Sequence, residues 1–235
     1  MQLKFLLMAV SALVILLLTS PAPLRAMELE PAGLSTAILP AGSRSLKPVT
    51  EADFNQDGSL ERLLLAGGRL TILSAGQPVW QSPAAWTVVQ AAITDLNNDG
   101  KPEATLLVWR PFRPWPVDQW LPYAGRIADF HDANGNSCQI ILIGWRGTAY
   151  GELWAGSPMA EPVRSFVVAD LRGDGIEQLV TLEGSYTDSR TAAVRALKVW
   201  EWNGFGFTVV STLEGTFYKM ALVQARNGRN LILVP

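Results

Sequence analysis

The nine residues Asp95 to Glu103, DLNNDGKPE, place oxygen-bearing side chains at Asp95, Asn97 and Asp99, follow them with Gly100, and end on an acid. DFNQDGSLE, Asp53 to Glu61, repeats the arrangement 42 residues earlier. A hard divalent cation such as calcium takes about six to eight oxygens at flexible distances, and Asp and Asn side chains crowded into a tight loop supply them. On this reading Asp95, Asn97 and Asp99 turn inward, Gly100 adopts the backbone of a sharp turn, the Lys101 carbonyl faces the ion and Glu103 closes the site. Asp53, Asn55, Asp57, Gly58, Ser59 and Glu61 hold the same places, so Ca2+ is the expected ion at both. An EF-hand starts alike but needs a bidentate Glu at the twelfth loop position and a helix on each side. Leu64 and Leu106 stand at that position, which excludes the EF-hand and dockerin loops.

A third copy, DLRGDGIEQ, departs from the pattern. Arg172 replaces the Asn, Gln178 falls where the closing acid belongs, and Glu177 sits one position early. Asp170 and Asp174 remain candidate ligands, with the alternative that Arg172 pairs with both and takes the ion's place.

These loops join apolar runs that read as strands. Ala91 to Val108 (AAITDLNNDGKPEATLLV) is the clearest unit and Phe166 to Leu182 (FVVADLRGDGIEQLVTL) matches it. Ile127 to Ile143 is a degenerate copy with a longer loop, and Ala221 to Val234 is one that has lost its acids. The first Asp of the clear units falls at 53, 95, 129 and 170, spacings of 42, 34 and 41 residues that each hold four short antiparallel strands. Runs rich in Val, Ile, Leu, Thr and Trp at 62–65, 70–74, 86–94, 104–109, 139–145, 164–169, 178–182, 196–202 and 231–234 are the predicted strands. Gly67-Gly68, Asn203-Gly204 and Asn227-Gly228 are predicted turns. A repeated four-stranded unit is what a β-propeller blade requires. The expected fold is therefore all-β, a propeller of about five blades, with residues 33–46 supplying strands that the last unit lacks.

The two intact loops and DLRGDGIEQLV resemble the FG-GAP or VCBS repeat family, the propeller repeats also found in integrin alpha subunits. The resemblance runs from about Asp53 to Val234. It implies four-stranded blades with calcium held between the first two strands of a blade, here at the Asp53 and Asp95 loops.

The chain has 235 residues, 49 % of them apolar, which is ample for a packed core. Its first 26 residues run from Lys4 through the apolar Phe5 to Leu18 to small residues ending at Ala22 and Ala26. That is the order of an export signal, with cleavage expected after Ala22 or Ala26 and an uncleaved anchor as the alternative. The propeller domain is then expected over residues 27–235, outside the cytoplasm, with membrane attachment only if the signal stays. Without Lys4 and Arg25 the chain carries 17 basic and 21 acidic residues, a formal charge of −4, which argues against nucleic acid as a partner. The single cysteine, Cys138, forms no internal disulfide and is expected to be buried.

Two other segments bear on function. His131, the only histidine, is flanked by Asp129 and Asp132, but no serine-hydrolase or zinc motif accompanies it. The segment Trp109 to Pro122, WRPFRPWPVDQWLP, carries four prolines and reads as a semi-rigid loop. Trp109, Phe112, Trp115 and Trp120 either offer stacking faces to a protein or carbohydrate ligand or plug an apolar gap between blades. Trp80, Trp86, Trp145, Trp154, Trp200 and Trp202 are expected to pack. The functional expectation is a non-catalytic, calcium-stabilised binding or scaffolding module; the alternative is a propeller-based carbohydrate-active lyase or hydrolase.

Overall fold

The protein was analysed as a computed structural model that describes residues 23–113 and 130–235. Among these residues there is no helix, and the chain forms four antiparallel sheets arranged as a four-bladed β-propeller. Blade 1 consists of β4 (Glu51–Ala52), β5 (Glu61–Ala66), β6 (Arg69–Ser74) and β7 (Gln77–Gln81). Blade 2 follows with β8 (Thr87–Thr94), β9 (Glu103–Pro111), β10 (Asn136–Trp145) and β11 (Tyr150–Ala155). Blade 3 holds β12 (Val163–Ala169), β13 (Gln178–Glu183), β14 (Val194–Trp202) and β15 (Phe207–Phe217).

Blade 4 closes the ring from both chain ends. β16 (Ala221–Gln224) and β17 (Asn230–Val234) join β1 (Arg25–Glu30) and β2 (Gly33–Ala37) in the order β2-β1-β17-β16, with the two-residue β3 (Arg44–Ser45) beside β16. Residues 33–46 thus supply β2 and β3 as expected, but the strand that meets β17 is β1, which the sequence placed partly in the leader. Its pairs are Arg25 with Val234, Ala26 with Leu233 and Met27 with Ile232, and Ala26 and Met27 are buried.

The blade count corrects the expectation of about five. The unit assigned to Ile127–Ile143 starts no blade, because its strand β10 pairs along its length with β9, from Asn136 with Pro111 to Ile143 with Ala104. The segment before it is the β9–β10 connection of blade 2, and most of that connection, residues 114–129, lies outside the described residues.

Successive residues of a strand face opposite sides of its sheet, so a central strand sandwiched between two blades is apolar at every position rather than at alternate ones. β10 shows this: Cys138, Ile140 and Leu142 enter a cluster with Val163, Phe166 and Leu179 of blade 3, while Ile141 and Ile143 enter one with Leu70 and Ile72 of blade 1. A third cluster joins Val180, Leu182 and Val199 of blade 3 to Met27, Leu29 and Ile232 of blade 4. The fourth, built on Ala26, Val223 and Leu231, draws on blade 4 alone. Three seams of the ring therefore rest on shared apolar burial. Gln90 of β8 adds a two-way bond across one of them, donating to the Phe166 carbonyl at 2.6 Å and accepting its N–H at 3.0 Å.

Candidate functional site

Three of the Asp loops connect the first two strands of a blade: residues 53–61 join β4 to β5, 95–103 join β8 to β9, and 170–178 join β12 to β13. Their backbones are built alike. Asp53 accepts the N–H groups of Asp57 and Gly58 at 3.1 and 2.8 Å, Asp95 those of Asp99 and Gly100 at 3.1 and 3.0 Å, and Asp170 those of Asp174 and Gly175 at 3.2 and 2.8 Å. The fifth loop position repeats the device two residues on, with Asp57, Asp99 and Asp174 accepting from Ser59, Lys101 and Ile176. This tight winding requires left-handed backbone at the fourth and sixth positions. Gly58, Gly100 and Gly175 supply the sixth at φ 89°, 77° and 86°, and Gln56, Asn98 and Gly173 the fourth at 60°, 57° and 77°. Left-handed φ is uncommon outside glycine and Asn, so Gln56 is the costliest of the six.

The mouth of each intact loop presents two carboxylates and an amide. Asn55 accepts the Asp57 N–H at 3.0 Å and donates to the Asp57 carboxylate at 2.9 Å; Asn97 accepts from Asp99 at 3.1 Å. The Ser59 N–H, followed by the Asn55 amide, holds the exposed Asp57 carboxyl below the usual carboxylate range. The closing acids lie elsewhere. Glu61 and Glu103 are fully buried beneath their loops, where Glu61 accepts the Phe54 N–H at 2.9 Å and Glu103 accepts the Leu96 N–H and the Thr94 hydroxyl at 2.7 and 2.8 Å. Burial, with a smaller push from Asp95 and Asp99, raises the Glu103 carboxyl to about 8. In blade 3 the same seat is taken by Gln178, whose Oε1 accepts the Leu171 N–H at 2.8 Å. The position therefore anchors the loop to its second residue, a task an amide performs as well as a carboxylate.

The third loop differs from its expected chemistry in two ways. Arg172 does not pair with Asp170 and Asp174; it reaches Glu201 of β14 at 2.5 Å. Glu177 does not serve its own loop; it crosses to blade 2 and accepts the Asp95 N–H at 2.7 Å. Asn230 makes the corresponding reach from blade 4, donating to the Asp170 carbonyl at 2.8 Å. Polar contacts thus tie the Asp95 and Asp170 loops each to the next blade.

The aromatic segment is only partly within the described residues, and Trp115 and Trp120 are outside them. Trp109 is buried at 5 % exposure, edge-on to Tyr186 and covered by the Arg190 guanidinium 4.0 Å above its ring, so it packs between blades and offers no stacking face to a ligand. Phe112 is half-buried against His131. Asp132 does not act on His131: its carboxylate accepts the Asn134 and Asn136 N–H groups and pairs with Arg190 at 3.0 Å. Trp154, Trp202 and Phe207 form an edge-to-face cluster between blades 2 and 3. Burial pushes the Cys138 thiol up to about 12, which makes it a packing group and not a nucleophile.

Among the described residues no three His, Cys, Asp or Glu side chains gather at one point, which follows from the inward turn of Glu61 and Glu103. The two intact loops nevertheless fit a hard cation. Each mouth carries two Asp carboxylates and an Asn oxygen on a backbone already wound tightly, and Glu103 keeps one buried oxygen without a partner. The unpartnered atom of Gln178 is instead its amide nitrogen, a donor, which no cation would meet. Compared with known protein families, curated proteins and solved structures, the chain matches none.

Proposed function

We propose that the protein is an exported, calcium-stabilised propeller of FG-GAP or VCBS type that acts as a non-catalytic binding or scaffolding module outside the cytoplasm. The observation that carries the calcium reading is the shared mouth of the Asp53 and Asp95 loops, two carboxylates and one amide oxygen on a backbone wound by its own hydrogen bonds. Asp53, Asn55 and Asp57, and Asp95, Asn97 and Asp99, would hold the ion, which would tie the first two strands of blades 1 and 2. The Ser59 and Lys101 carbonyls are available as further ligands. Asp170 and Asp174 stand without an oxygen between them, so the third loop is read as ion-free.

An ion bound only to the folded state stabilises it by mass action, ~1.4 kcal/mol per site at ten times the dissociation constant. Thermal scans in calcium and in chelator test this, and superimposable curves would remove the metal from the account.

The leader reading gains a sharper boundary from β1. Cleavage after Ala26 would delete two of the three residues that pair with β17, whereas cleavage after Ala22 leaves the strand whole. The exported protein is therefore expected to begin at Pro23, and mass spectrometry finding Met27 as the first residue would contradict it.

A further inference from the structure

The fourth seam of the ring, between blade 4 and blade 1, is built unlike the other three. Pairing of β1 with β17 completes blade 4, yet among the described residues no apolar cluster joins that blade to blade 1. The contrast is sharpest on the second strand of each blade. In β9, Ala104, Leu106 and Val108 face blade 1 and are fully buried. Counted from the acid that ends each Asp loop, the same places in β5 are Arg62, Leu64 and Ala66; all three are exposed, Leu64 at 46 %. Leu60 stands where Glu177 of blade 3 reaches back to blade 2, and it has no polar group with which to do the same. On blade 4, Met27 and Leu29 point to blade 3, so Ala26, Glu28 and Glu30 point the other way, beside Ala37 and Leu231. A cavity of about 350 Å³ lies on that face, lined by Glu28, Ala37, Ile38, Arg229 and Leu231 among others. Ile38 is 92 % exposed, and every other residue of the connector 38–50 is exposed as well, save Ser43 and Leu46. The seam holds no shared core.

We infer that this seam is an assembly surface, on which the Leu64 face of blade 1 in one copy of the chain packs against the Glu28 face of blade 4 in a second copy, and reciprocally. Blade faces cover one another at the other three seams, and a second copy brings both of the faces that are open here. Two-fold symmetry makes the contact twice and leaves neither face uncovered, so the pair is closed. The charges are complementary. Glu28 and Glu30 share the single Arg229, which leaves one negative charge over, while Arg62 makes no ion pair among the described residues. They also lie at one level. Arg62 follows directly on the Asp53 loop, and Glu28 and Glu30 lie beside Arg229, in the turn 225–229 that joins the first two strands of blade 4 at the same end. Further from that end, Leu64 and Ala66 come level with Ala37 and Ile38. Apolar surface rimmed by charge in this way is the mark of a protein contact. The contact uses none of the proposed cation ligands, so it stands whether or not the loops hold calcium.

Sedimentation velocity of the exported protein over a range of concentrations should show a two-copy species that dissociates on dilution. Leu64→Glu should abolish it, yet melt with the parent at concentrations where the parent is monomeric, because Leu64 is exposed within one chain. Arg62→Glu should weaken the dimer roughly tenfold or more, and adding Glu30→Arg should restore it. Cysteine pairing separates a second copy from the chain's own ring, since the native thiol of Cys138 is buried and does not compete. Leu64→Cys mixed with Ile38→Cys should give a disulfide-linked pair on oxidation, and neither variant alone should. A monomer at every concentration, a dimer unmoved by Leu64→Glu, or no linked pair from the mixture would overturn the proposal. So would a chain carrying both cysteines that links only within itself, which would mean that blade 1 closes on its own blade 4.

Discussion

In blade 2, Asp95 accepts two loop N–H groups, Asn97 adds an oxygen at the mouth, and Glu103 sits beneath with one oxygen unpartnered. In blade 3, Asp170 accepts the equivalent N–H groups and Gln178 sits beneath, but the mouth lacks its middle oxygen because the third position is Arg172, a donor that reaches away to Glu201. The two backbones follow one hydrogen-bond plan and the two mouths do not. The motif therefore contains two separable instructions. One, written in the first and fifth Asp, the sixth-position glycine and the buried side chain, winds the loop. The other, written in the third-position oxygen, would equip it for a cation on the calcium reading proposed above. Blade 3 kept the first and lost the second.

The largest expected effect probes the shared instruction. Asp95→Ala strands the Gly100 N–H while Asn97 still accepts that of Asp99, and Asp170→Ala strands those of Gly173, Asp174 and Gly175. With charge-assisted bonds lost, the first should cost about 1 kcal/mol in chelator and the second about 2 kcal/mol or more. Urea denaturation would show a loss in both variants, the larger in Asp170→Ala; no loss from Asp95→Ala in chelator would mean that the winding of that loop depends on the ion. Next comes the difference between the loops. Asp99→Ala should remove about half of the calcium-dependent stabilisation, near the ~1.4 kcal/mol of one site at ten times its dissociation constant, and Asp174→Ala almost none of it. Thermal scans of both variants decide this, and an equal loss in the two would restore blade 3 as a site.

The smallest effect concerns the buried acid. A carboxyl raised from 4.5 to about 8 in the folded state gives stability that is fully present below pH 4.5 and lost as the pH rises through about 8. Glu103→Gln copies the side chain that blade 3 already uses. In chelator it should match the parent near pH 4.5, become progressively the more stable protein as the pH rises from there toward 8, and diverge no further above that. Parallel stability curves for the two proteins would show that Glu103 ionises freely where it sits.

The strands legible from the sequence were those between blades. All nine predicted runs are present, because a strand buried on both faces, such as β9 or β10, is apolar at every position. β7, β11 and β15 were not read, since an outer strand such as Gln77–Gln81 is mostly exposed and carries too few apolar residues to stand out from a loop. β1 was hidden by the small residues of the leader that it overlaps. The sequence left Trp109 open between a ligand face and a packing plug, and only the approach of Tyr186 and Arg190 from blade 3 shows it as packing.

By itself the sequence determined the all-β class, the repeating Asp loops and the winding of each loop, because these depend on residues within nine positions of one another. Tertiary structure decided the number of blades, since only the pairing of β10 with β9 shows that the Ile127 unit opens no sheet of its own. It also decided where Arg172, Glu177, Glu61 and Glu103 point. A side chain's direction at a loop's base is set by partners beyond the loop: Glu201 on another strand of the same blade for Arg172, the Asp95 N–H of blade 2 for Glu177, and burial beneath the loop for the two acids. Those partners lie far away in the chain, and no local spacing encodes them.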